Sequence, residues 1–420
     1  MLTMQKKLSN LFYVILGLPA TAMGFALSIQ IAVLSWILRT KYNLEIDQIG
    51  IVWAAGPIAG IIGQPIIGLI SDKAWFWGGR RKPFIIMGGI LAALMIFALP
   101  NIDRINDFFG IGSLMAVAIT VALTLDLSIN ISFNPTRSII ADVTPAGATR
   151  TKGYTWMQSV SNFFGSIAYL IGALISNYFL IYAGVAIVLL FSLGPMFLIS
   201  EPRELVKDEV TNSADGNGKT QWGQLFRLYF AHAFSWLGIQ TMFIYIIAFL
   251  EQKIHPETDI QTGQMIGWSF FILNAVGCIW PAFLLEPMAK RFGRVRMHIL
   301  SVATMSAGYF GIVFLARDTI TLYLLMGVLT LGWAAVVSLP FAIMSEKVEK
   351  SRMGFFMGIF NLSVVLPQLV SSFFMGKVIQ HAADKGMVFI ISGVSLAISA
   401  LLWLLVTDDS RKTVTKQEGS

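Results

Sequence analysis

Charged side chains are scarce in this chain. Asp, Glu, Lys and Arg make up 13% of its 420 residues, where a soluble domain has about 25%. With 56% hydrophobic residues and a mean hydropathy of +0.72, a water-soluble globular class is excluded. Cysteine is almost absent too. Cys278 stands alone, which rules out an intramolecular disulfide and makes the redox compartment unreadable. The four histidines, His232, His255, His298 and His381, lack metal-ligand spacing, and no His/Cys/carboxylate cluster marks a metal centre. They are expected to be solvated or interfacial. No complete Gly-x-x-x-x-Gly-Lys-Ser/Thr loop is present to cradle a phosphate, so neither ATP drive nor any cofactor is expected. No acidic Asp-x-x-Asp repeat appears on a loop, which argues against a polytopic enzyme acting on lipid-linked substrates. The longest polar stretch runs only from Glu201 to Gln221, too short for the soluble domain of a sensor.

What the chain has in abundance is apolar length. Runs at roughly 11–38, 49–71, 83–100, 111–141, 154–178, 180–200, 222–250, 264–289, 297–316, 319–345, 353–379 and 386–407 approach or exceed the ~20 residues that cross a hydrocarbon core of about 30 Å. The first run follows Lys6-Lys7, is too long for a signal-peptide core and lacks a small-residue cleavage pattern, so it reads as a span. The polar, Gly-containing stretch 201–221 reads as a flexible linker between an N-terminal bundle, 1–200, and a C-terminal bundle, 222–407, followed by a tail, 408–420. Six spans, a linker and six spans predict an all-α membrane fold of two six-helix bundles with pseudo-two-fold symmetry around a central cavity.

The net charge of +7 suggests nucleic acid only until its distribution is followed. With Lys6 and Lys7 inside, the twelve spans put Arg80, Arg81, Lys82, Arg150, Arg203, Arg294, Lys347 and Arg411 on the cytoplasmic side. Arg39, Lys41, Arg104, Lys253, Arg317, Lys377 and Lys385 fall opposite. This is the positive-inside pattern, and it predicts a cell-membrane protein with both termini cytoplasmic and no nucleic-acid partner.

One span departs from the rest. In Leu123–Arg137, inside the run at 111–141, Asp126, Asn130, Phe133 or Asn134, and Arg137 share one helical face at about 100° per residue. A carboxylate or guanidinium facing lipid costs several kcal/mol, so this stripe needs water, protein or ligand beside it. Eleven residues separate Asp126 from Arg137 by about 16 Å along the axis, beyond the ~10 Å that the two side chains span together. Each needs another partner. Burial disfavours the charged form of an unpaired carboxyl, which is the property a proton-coupling site requires. A sodium site would need several convergent oxygens. Pro135 adds a local break that would expose carbonyls.

A weak internal repeat links the halves. Gly68-Leu69-Ile70-Ser71-Asp72 followed by Gly79-Arg80-Arg81-Lys82-Pro83-Phe84 is matched after the eighth span by Lys290-Arg291-Phe292-Gly293-Arg294-Val295-Arg296. A basic Gly-Arg turn repeated in this way resembles the major facilitator transporters. Trp53, Gly56-Pro57, Gly60 and Gln64-Pro65 before the first turn bring the resemblance closer. So do Asp126, Asn130, Pro135, Arg137, Ala141-Asp142 and Arg150-Thr151, then Ser338-Leu339-Pro340-Phe341-Ala342, Asn361-Leu362 and Pro367-Gln368. Together these are similar to the sucrose/proton symporter family of plant sucrose transporters and their animal and bacterial relatives.

That resemblance implies a non-enzymatic carrier in which Asp126 binds the proton and Arg137 engages the sugar. It also makes Asp72, Arg80 and Arg81 a cytoplasmic gate. An uncharged sugar exchanges its water bonds for protein bonds, so Asn130, Gln30, Gln158, Asn162 and Asn361 are the expected further substrate contacts. The family has two acids near the outer end of the seventh span, after a Trp resembling Trp236. Here Thr241–Leu250 holds none before Glu251, so the family's sugar pose is not carried over. The short loops suit a bacterial member. The expectation is a monomeric symporter, in the lipid bilayer, of protons with a disaccharide such as sucrose or maltose or a related glucoside. A sodium-coupled glycoside carrier is the alternative.

Overall fold

The computed structural model describes residues 5, 7–73, 75–145, 148–203, 220–280, 285–348 and 353–407; side chains at 64–69, 71–73, 148, 151, 276–280, 286, 290, 353–355 and 357 are not among those described. Helix dominates. The helices are α1 (Asn10–Thr40), α2 (Ile46–Trp53), α3 (Ala55–Lys73), α4 (Lys82–Ala98), α5 (Ile102–Phe109), α6 (Leu114–Val143), α7 (Ala148–Leu174) and α8 (Asn177–Leu198). They continue with α9 (Trp222–Phe249), α10 (Asp259–Trp280), α11 (Glu286–Phe292), α12 (Arg294–Leu315), α13 (Thr319–Ser345), α14 (Met353–Val370), α15 (Gly376–His381) and α16 (Met387–Trp403). Among the described residues every predicted span overlaps helices of this series; residues 281–284 of the span at 264–289 lie outside the described residues. Among the described residues, nine helical stretches are long and apolar enough to cross a membrane.

Local chemistry accounts for several helix starts. The side chains of Ser9, Ser113 and Ser176 accept from the backbone N–H of Phe12, Ala116 and Phe179, and Asp318 accepts from Thr321, so α1, α6, α8 and α13 each begin at a side-chain cap. The sequence predicted a break at Pro135. Instead α6 runs unbroken from Leu114 to Val143, because a buried helix can lose one N–H donor when its neighbours hold it in line.

Contacts divide the chain into two compact units, Met1–Thr211 with Thr258–Gly267, and Asn212–Glu257 with Trp268–Ser420. In the first, α1 packs on α6, α7 and α8, and α4 packs on α6 and α8. Lipid tails are as apolar as leucine, so close approach and hydrogen bonds decide such packing. A Cβ on Gly88 would meet the Ser128 carbonyl at 2.6 Å, and Ser132 Oγ donates to the Phe84 carbonyl (3.2 Å), which seats α4 against α6. The Trp36 indole donates to the Asp259 carbonyl (2.6 Å), so residues 258–267 cluster with this unit although they precede the rest of α10.

The second unit pairs α9 with α16 and α14, and α12 with α13 and α16. A serine seam joins α9 to α16: Ser392 donates to the Gly238 carbonyl, Ser399 to the Ala231 carbonyl, and Ser235 and Ser399 share a bond, each 2.7 Å. Ser371–Met375 is a π-helical turn, a geometry that frees carbonyls. The Tyr245 hydroxyl donates to two of them, Ser371 (3.1 Å) and Ser372 (3.3 Å).

Candidate functional site

Asp126 lies in the middle of α6 with only 6% of its surface exposed. Its carboxylate Oδ2 accepts a hydrogen bond from the Gln30 side chain of α1 at 2.8 Å. No cation reaches it among the described residues. On the α3 side Gly56 presents a bare Cα; a Cβ there would stand 3.3 Å from both carboxylate oxygens, so glycine lets the α3 backbone close over the acid. Gln30 is itself 2% exposed, and its Oε1 has no partner among the described residues. The site is therefore a desolvated carboxylate held, among the described residues, by one neutral amide. Such a group is costly when charged, and proton uptake relieves the cost.

The other predicted contacts are distributed differently. Asn130 is buried one turn further along, its amide donating to the Asp126 backbone carbonyl (2.8 Å), and a Cβ on Gly63 would touch its Cβ at 3.2 Å. Arg137 is exposed on α6, its guanidinium stacked over the Phe133 ring 4.1 Å from the centroid. Gln158 and Asn162 sit one turn apart on an exposed face of α7 and bond each other at 2.8 Å. Asn361 is half-buried on α14, in the second unit. Thus Gln30, Asp126 and Asn130 form one cluster. Arg137 stays apart from Asp126 as the helical rise requires, while Gln158 and Asn162 form a second polar pair.

The basic turn after α3 is built more tightly than its sequence indicates. Trp77 (φ 51°) and Gly78 (φ 73°) both adopt left-handed geometry, and Phe76 and Gly79 exchange backbone hydrogen bonds across them, as in a two-residue hairpin of the primed type. The turn aims three successive backbone N–H groups, from Arg80, Arg81 and Lys82, at the Glu201 carboxylate at 2.7, 2.9 and 2.7 Å. The Arg81 side chain, 7% exposed, pairs with Asp142 at the end of α6 (3.1 Å). Arg80 instead donates to the Arg203 carbonyl at 3.4 Å. The Asp72 side chain lies outside the described residues, and the turn is held by contacts of Arg80, Arg81, Asp142 and Glu201. Sequence reasoning missed Glu201; its signal was an acid directly after a span that ends near a basic turn. The second half repeats the device, since Arg294, following Gly293 at φ 94°, pairs with Glu346 after α13.

Two histidines correct the sequence-based expectation of a solvated or interfacial setting. His232 and His298 are 1% and 0% exposed. Trp236 donates to His232 Nε2 at 3.0 Å, and His298 stands edge-on to Trp403 with ring centroids 4.3 Å apart. A position within or near the end of a span does not fix the direction in which a side chain points, and here both are buried.

A profile of the Major Facilitator Superfamily matches residues 16–372 and again 228–420. The chain belongs to that superfamily, and it is a multi-pass membrane transporter, not an enzyme. Within it, the chain is similar to the sucrose transport protein SUC4 of Arabidopsis thaliana, 22% identical over 433 aligned residues that cover 86% of this chain and 82% of that protein. Among solved structures, the nucleoside transporter NupG superposes with a TM-score of 0.73 at 13% identity, covering 94% of this chain and 100% of that one. A D-xylose-proton symporter superposes with a TM-score of 0.72 at 15% identity, covering 96% and 99%. At these identities the structural likeness speaks for the fold alone.

Proposed function

We propose that this chain is a proton-coupled sugar symporter, moving a disaccharide such as sucrose or maltose, or a related glucoside, by alternating access. The observation behind this reading is Asp126, buried in α6 with no counter-charge among the described residues and held by the Gln30 amide. The likeness to sucrose transport proteins supports a sugar as the substrate class. Sugar hydroxyls are met by Arg137, Asn130, Gln30, Gln158, Asn162 and Asn361.

Coupling follows from the cost of the charge. Closing the protein around an ionised, unpaired Asp126 is unfavourable by several kcal/mol, so the empty deprotonated carrier does not cross readily. A proton taken from outside removes that cost, the sugar binds, and the halves rock. On the inner side water returns, Asp126 releases its proton and the sugar leaves. With both termini in the cytoplasm, the Arg81–Asp142 pair and the Glu201 clamp on the 79–82 turn lie at the inner end and latch it shut, together with Asp72. The protein acts as a monomer in the cell membrane.

The test is uptake of labelled sucrose and maltose into vesicles containing the purified protein. An inward pH gradient should drive accumulation and an inward sodium gradient should not. Accumulation driven by sodium at equal pH would replace the proton with sodium in this account.

A further inference from the structure

The Gln30 amide is oriented by Asp126 and has an unused half. Its Nε2 donates to Asp126 Oδ2 at 2.8 Å, while Oε1, within a side chain 2% exposed, has no donor among the described residues. An amide presents a donor face and an acceptor face that exchange on rotation by half a turn. An ionised carboxylate can only accept, and so it selects the N–H face. A protonated carboxyl gains one O–H donor, and the acceptor it would need is the orphaned Oε1.

We propose that Gln30 reads the protonation state of Asp126 by amide reversal, donating through Nε2 to the carboxylate and accepting through Oε1 from the carboxyl. The claim rests on the reading of Asp126 as the proton site. Among the described side chains, no other ionisable group is bonded to the acid from its own helix or the elements packed around it; on α6 itself Asp142 pairs with Arg81 and Arg137 stacks on Phe133. On α1 Arg39 pairs with Glu45, and Tyr13 lies near its other end. α2 has only Asp47, at its start, and α4 only Lys82, at its start. On α5 Asp103 is engaged by Lys41, with Arg104 and Asp107 beside it on the same short helix. On α7 Arg150 bonds the Ala141 and Thr144 carbonyls at the far end of α6, Lys152 stacks on Tyr13, Tyr154 lies in the same first turns, and Tyr169 is bonded to Ser28. Asp72 and Lys73 end α3, outside the described side chains.

The two states are not equal. The bond to the carboxylate is charge-assisted and about twice as strong as the neutral O–H···O=C bond that replaces it. Removing the amide therefore disfavours the ionised form more, and Gln30→Met should bind the proton about tenfold more tightly, moving the midpoint upward by about one pH unit. Gln30 is a positioning residue, and its signature is spectroscopic. In pH-difference infrared spectra of the purified wild-type protein, a carboxyl band absent from Asp126→Asn reports protonation of Asp126. The same spectra recorded with isotope-labelled glutamine should contain a glutamine amide band that titrates with it and is lost in both Asp126→Asn and Gln30→Met. A titrating Asp126 carboxyl band with no glutamine band, or an unchanged midpoint in folded Gln30→Met, overturns amide reversal. Absence of any titrating Asp126 band removes the proton reading instead, so the two failures are distinct.

Discussion

Gly56 decides as much about the acid as any polar residue does, because it contributes nothing but backbone. Overpacking a tight site costs about 1–3 kcal/mol, and a side chain at Gly56 would have to displace the Asp126 carboxylate, 3.3 Å from the would-be Cβ. Gly56→Val should therefore lower pH-driven uptake by about tenfold or more while the purified protein still elutes as a single folded species. Loss of activity only through aggregation would leave the role of Gly56 untested by uptake, and then proton binding by the Gly56→Ala variant supplies the measurement; an unshifted midpoint there contradicts the proposed crowding. Asp384 offers a contrasting acid at the molecular surface. The Lys253 ammonium (2.7 Å) and the Gly386 N–H (2.7 Å) hold its carboxyl below the usual carboxylate range. Its folded form prefers the charge, so its stabilisation is present above the unfolded value and fades as pH falls through the folded one. The melting-point difference between wild type and Asp384→Asn should thus be constant from neutrality to about pH 5 and shrink below about pH 4. A difference that grows on acidification reverses the assignment.

At the scale of elements, the turn between α3 and α4 shows how a loop becomes a fixture. Glu201 gathers three backbone donors, and unpaired buried donors cost about 1–3 kcal/mol each. Glu201→Ala should raise amide hydrogen exchange at 80–82 by about tenfold or more. Arg81→Met keeps its backbone N–H while losing the Asp142 pair, so its effect on exchange at the turn should be smaller. Equal exchange in wild type and Glu201→Ala would mean that the clamp is not what holds the turn. The turn also marks the limit of sequence reading. Gly79, Arg80 and Arg81 were legible as a motif, because glycine and arginine at a span end are local features. Their partners were not, since Glu201 lies more than a hundred residues away and no local pattern joins it to them. Asp126 was legible because an acid in an apolar helix is conspicuous anywhere. That Gln30 would turn toward it depended on how α1 packs on α6. His232 and His298 were misread for the same reason.

At the scale of the whole molecule, the repeat seen in the sequence returns as chemistry: Arg81 pairs with Asp142 in one unit and Arg294 with Glu346 in the other. Each half thus ties a basic turn to the end of a following helix, while the buried acid in mid-helix, Asp126, belongs to the first unit. That asymmetry is what the proposed coupling requires, since one site that alternately faces two solvents is sufficient to tie sugar flux to proton flux. The measurement that bears most directly on it is external pH recorded while sugar is added to lightly buffered vesicles containing the protein. Wild type should make the medium alkaline as protons enter with the sugar. Asp126→Asn should still exchange labelled for unlabelled sugar yet leave the pH unmoved. Sugar-dependent alkalinisation persisting in Asp126→Asn would contradict the account.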